Sequence, residues 1–123
     1  MAAPNLIGAT TINGKTTGSN LITTGATTVL NNGSASGKCL KVNTLNVSNY
    51  TASPAAITIS WYNAANVGGT AFAIAGNITV PSNSTLNIID KSSQYYLEED
   101  RSFGATAGTA NTLIVTCSYE DIS

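Results

Sequence analysis

Glu98, Glu99 and Asp100 stand side by side and Arg101 follows them, in the stretch YYLEEDRSF at 95–103. The chain holds only five basic and six acidic residues in all, so this corner concentrates its charge. Two chemistries suit three adjacent carboxylates. One is a hard-cation site, completed by Glu120 or Asp121. The other is glycoside hydrolysis, which needs two acids about 5–9 Å apart on opposite sides of a sugar. Neither fits well. Adjacent acids after a strand belong to one loop, and a calcium loop spaces its oxygens with glycines between them. The stronger reading is a strand corner: Tyr96 and Leu97 anchor a strand end, the acids turn it, Arg101 neutralises part of the cluster, and Phe103 re-enters the core.

No histidine occurs, which removes the commonest general base and the commonest metal ligand. A Ser–His–Asp triad and a Cys–His dyad are therefore impossible. No Gly-x-Ser-x-Gly elbow and no phosphate-cradling glycine fingerprint is present. Cys39 and Cys117 are far apart with no Cys-x-x-Cys spacing. Cys117 lies in the apolar phase of an alternating run, so buried free thiols are expected. The residues thus point to no catalytic group, no metal and no cofactor. Among the aromatics, Trp61 shares its phase with Ile57 and Ile59 and reads as core. Tyr62 and Tyr95 point the other way and suit contact with another protein, together with Glu98, Glu99, Asp100 and Arg101.

The elements that must position these residues are strands. Charged residues make up 9% of the chain and hydrophobic ones 42%, and the polar remainder is Thr, Ser, Asn and Gly. Such a mixture suits strands and tight turns. Period-2 alternation dominates: ITISWYN at 57–63, TLIVTCSYE at 112–120, STLNIID at 84–90. In KCLKVNTLNV the apolar phase runs Leu40, Val42, then Leu45, Val47, which predicts a β-bulge near Asn43–Thr44. In TAFAIAGNITVP it runs Phe72, Ile74, then Ile78, Val80, and Pro81 should end the strand. Turns are expected at Asn13–Gly14, Asn31–Asn32–Gly33, Ser53–Pro54, Gly68–Gly69, Pro81–Asn83 and Gly108–Thr109. Strands recurring about every 10 residues predict an all-β antiparallel sandwich, jelly-roll or Ig-like, of about eight strands with no long helix. Residues 21–123 form the sandwich, and residues 1–20 are expected as an extended arm able to pair with a neighbour's sheet edge.

The charge balance also bounds the partners. Net charge is −1 with no basic run, so nucleic acid is not expected. No apolar run reaches the roughly 20 residues of a membrane helix. The opening MAAPNLIGATT has neither the basic nor the apolar region of a signal peptide, which leads to an expectation of assembly in a cytosol. A surface with so little charge suits permanent association.

The stretch 37–123, with its VPSNSTL turn, its YYLEEDRS corner and its closing LIVTCSYEDIS, resembles small virion structural proteins of tailed phages, particularly cyanobacterial ones. The N-terminal MAAPNLIGATTINGKT resembles them more loosely. The resemblance implies a non-enzymatic β-sandwich in the virion, as a capsid decoration or cement protein bound to the major capsid protein or other virion proteins, and a homo-oligomer in the assembled particle. It implies that the acids of the corner meet Lys or Arg on a neighbouring subunit. The alternative is a tail, neck or baseplate component, or a carbohydrate-binding module on a host-recognition structure.

Overall fold

The computed structural model describes residues 6–123. A single 3₁₀ turn, Leu6–Gly8, precedes nine strands: β1 Ile12–Asn20, β2 Thr27–Asn32, β3 Cys39–Asn49, β4 Ala55–Tyr62, β5 Ala71–Val80, β6 Ser84–Ile89, β7 Tyr95–Leu97, β8 Arg101–Ala107 and β9 Leu113–Ile122. One sheet has the order β1-β9-β3-β6, with β7 also on β3, and the other the order β2-β8-β4-β5. All pairings are antiparallel.

Pairing is nested: β1 with β9, β2 with β8, β3 with β6 and β7, β4 with β5. The pieces β6 and β7 occupy successive stretches of the same edge of β3, Leu45–Asn49 and Leu40–Val42, so they act as one interrupted strand. Eight rails paired first-to-last across two sheets make a jelly roll. Of the two sandwich types expected, the Ig-like one is thereby set aside.

Alternation builds the core. Val42, Leu45, Val47, Val115 and Cys117 from one sheet meet Ile57, Ile59, Phe103, Ala105 and Val80 from the other, all essentially inaccessible to water. The phase change in β3 is a bulge at the expected place: Val42 faces Tyr119 and Thr44 faces Ser118, leaving Asn43 over. Pro81 follows the last residue of β5, as expected. Two buried asparagines pin loops. Asn32 Nδ2 donates to the carbonyls of Lys38 and Leu97, both at 2.9 Å. Asn49 Nδ2 donates to Ser53 O at 2.8 Å and Val80 O at 3.1 Å.

Other expectations need correcting. Asn13–Gly14 is no turn: both residues lie inside β1, opposite Asp121 and Glu120. Asn31 and Asn32 end β2 rather than turning. In β5, two register shifts against β4 set Ala75, not Ile74, opposite Ile59, and Ala75 is the buried residue. Residues 1–5 of the expected arm lie outside the described residues. The part at 12–20 is a full strand on the edge of its own chain's sheet, so the sandwich begins before residue 21. Main-chain bonds to β9 hold it there, which side-chain patterning cannot foretell.

Candidate functional site

The acidic corner lies between β7 and β8, where the chain crosses from one sheet to the other. Asp100 takes a left-handed conformation, φ 58°, which Asp tolerates better than most residues. That geometry aims each group at a different loop. The Asp100 amide donates to Gly33 O at 3.3 Å, and its Oδ1 accepts from the Ala65 amide at 3.1 Å. Glu99 Oε2 accepts from the Gly37 amide at 2.7 Å. Arg101 Nη1 donates to Asp100 O at 2.9 Å and Asn63 O at 3.3 Å, and Nη2 lies 3.3 Å from Glu98 Oε1. Its guanidinium also sits 5.8 Å above the Trp61 ring, a cation–π distance.

The corner therefore clasps two loops, 33–37 and 63–67, onto the end of β8. Ser102 continues the clasp: its hydroxyl donates to Ala64 O at 2.8 Å and accepts from the Val67 amide at 2.9 Å. Asn31 Oδ1 accepts from the Asn66 amide at 2.7 Å. Glu99 and Asp100 are thus engaged within their own chain, and Glu98 pairs with Arg101. Tyr62 is half-buried, and Tyr95 rests edge-on against Phe103, ring centroids 5.8 Å apart. The six residues gather at one end of the sandwich, and four of them hold it together from inside. Among the described residues no three Cys, Asp or Glu side chains form a group that could hold a metal ion.

A second cluster went unnoticed in the sequence. Lys15 Nζ from β1 and Lys38 Nζ from the loop before β3 donate to the same oxygen, Oδ2 of Asp121 in β9, at 3.0 and 3.2 Å. They line an open cleft of about 250 Å³ with Asn32, Ser36 and Tyr119. The signal was present: Asp121 shares the phase of Cys117 and Tyr119, which places a carboxylate on the inward face. Burial pushes the Asp121 carboxyl upward, but hydrogen bonds and charge from the two lysines outweigh it and hold it below the ordinary carboxylate range. Lys15 is raised in turn, by its hydrogen bond to Asp121 and then by that charge.

A pH dependence results. A carboxyl depressed only in the folded chain takes up its proton first in the unfolded chain, so stability present above about pH 4 is lost as pH falls through the lower, folded value. Asp121→Asn should lower the melting temperature at pH 7 and flatten its fall as the pH drops below about 4. Thermal melts at stepped pH check this, and parallel acid limbs for the two proteins would contradict it.

Both cysteines are free and buried. Burial pushes both thiols up, Cys117 to about 12. They cannot pair: Cys39 faces Ile122 while Cys117 faces Leu45, five residues apart along β9 and so on opposite faces.

No protein-family model matches the chain, and it has no match among curated proteins.

Proposed function

We propose that this chain is a non-enzymatic structural protein of a tailed-phage virion, a capsid decoration protein that binds the major capsid protein and stabilises the shell. The observation that carries the reading is β5. This strand is ten residues long, forms the far edge of its sheet, and has no charged side chain. Phe72 and Ile78 on it are 50% and 39% exposed, though they stand opposite Trp61 and Ile57 on the core-facing side. An uncharged apolar edge is a liability unless it is covered. The register shifts between β4 and β5 make its backbone irregular, which discourages open-ended strand addition and leaves side-chain burial as the mode of docking. Protonated, buried thiols and carboxylates occupied by internal partners agree with a role without chemistry.

The acids of the corner take a different part from the one the resemblance implies. They fix the loops at the Phe72 end of β5, and the partner meets Phe72 there, the exposed Tyr95 and Tyr96 rings, and Ile78 toward the other end of the strand.

The test is co-sedimentation with capsids assembled from a tailed-phage major capsid protein. Wild-type protein should bind, and Phe72→Lys should bind roughly 30-fold more weakly, the scale of an interface hot spot. Its melting temperature should scarcely change, because Phe72 is already half in water. Absence of wild-type binding, with glycans retained on an array, would replace this reading by the tail or host-recognition alternative.

A further inference from the structure

β1 has an unusual relation to the domain it belongs to. None of its nine residues is buried. All nine are nevertheless in register with β9, from Ile12 opposite Ile122 to Asn20 opposite Ile114, without a bulge. The zip continues past both ends. The amides of Thr10 and Thr11 donate to Ser123 O, the Ser123 amide donates to Thr11 O, and the Leu21 amide donates to Leu113 O. Leu21, 1% exposed, is the first buried side chain among the described residues. So residues 10–21 hold on by main-chain bonds, one apolar anchor at Leu21, the Lys15–Asp121 pair, and the Thr10 and Thr11 hydroxyls on Ser123.

Immediately after the anchor comes a hinge. Residues 22–26, Ile-Thr-Thr-Gly-Ala, are all exposed, and they carry the chain from β1 in one sheet to β2 in the other. An element that contributes a strand edge and one knob, joined by an exposed tether, makes the same contacts with any copy of β9. Exchange between copies then costs little beyond the rearranged hinge.

We propose that residues 10–21 are an exchangeable strand, and that copies of this chain interlock by laying β1 of one on β9 of the next. Each neighbour would supply the outer strand of its partner's sheet, the Leu21 anchor, and the ammonium group of Lys15 for Asp121. The proposal concerns the purified chain alone and stands or falls independently of what the protein is mounted on.

The experiment uses two full-length single variants, Thr16→Cys and Ser118→Cys. These positions face each other across the β1–β9 pair, on the face opposite to Cys117. The native thiols, both buried, stay out of reaction. Concentrated together and then oxidised, the two variants should give a disulfide-linked dimer containing one chain of each, in clear excess over same-variant dimers and growing with concentration. Thr16→Cys/Ser118→Cys in one chain, oxidised dilute, should close on itself and report the register. A third protein lacking residues 23–25 keeps two of the five tether residues, which disfavours the return of β1 to its own sheet, so its mass in solution should double while its strand content is kept. Failure of the mixture to give mixed dimers at any concentration, with the shortened chain monomeric and cut by protease within residues 10–21, would overturn the proposal.

Discussion

Phe103→Ala should cost the folded state about 3–5 kcal/mol. Phe103 is wholly buried and is the largest such side chain among the described residues. It lies at the middle of its sheet, opposite Leu30 of β2 on one side and Trp61 of β4 on the other. From the opposing sheet Tyr95 meets it edge-on, at 85° between ring planes. Truncation would remove contacts to three strands at once, and the small residues near it, Ala105 and Ala107, have no long side chains with which to fill the void. Domains of this size have about 5–15 kcal/mol in total, so the loss is a large part of what holds the fold. Urea unfolding should show a much lower midpoint with an unchanged slope, and Phe103→Leu should recover most of the difference. A midpoint within experimental error of wild type would mean that the two sheets can close over the gap, against the packing described.

The second large effect is expected from an addition rather than a removal. Gly104 follows Phe103 and faces the other way, outward from β8. A Cβ there would stand 2.6 Å from Val67 Cγ1 and 2.8 Å from Tyr62 Cε1. The loop between β4 and β5 folds back over this spot, held by the Ser102 hydroxyl, and it carries strain: Val67 is β-branched yet adopts φ 51°. Gly104 is the seat that lets the loop lie flat. Gly104→Val should destabilise by about 3 kcal/mol, at the upper end for overpacking, because both the strained loop and the Tyr62 ring must shift. Hydrogen exchange at the Val67 amide should accelerate more than exchange in β9. Uniform acceleration throughout the domain would mean that the loop is not seated there.

Much of the strand plan could be read from the residues because alternation depends on which face a side chain meets. The bulge at Asn43 showed itself as a slip in the apolar phase, and Pro81 as a stop. The features that escaped depend on backbone rather than side chains. β1 has no apolar face to betray it, and Asn13–Gly14, a turn by composition, is simply extended against Asp121 and Glu120. In β5 two closely spaced bulges each shift the phase, and the net pattern no longer says which of Ile74 and Ala75 turns inward. The corner was visible as a cluster, but its partners were not. Gly37 and Ala65 are 62 and 35 residues from the acids they bond, and no local pattern links them. Asp121 was legible by parity alone, as a carboxylate in the phase of buried residues.

Nesting of the strands from the outside in has a consequence for how the polypeptide acquires its shape during synthesis. Only β4 and β5, the innermost couple, are near neighbours along the chain; every enclosing couple must wait for a later segment. β9 is the central rail on which β1 and β3 both lean, and it is made after all of them. Until residues 113–122 have left the ribosome, β3 is paired only along the edge taken by β6 and β7, β1 has no partner strand, and β2 waits likewise for β8. Folding governed by such distant closures is slow, on the order of milliseconds to seconds. The scarcity of long apolar runs in β1 and β2 keeps those waiting segments soluble in the interval.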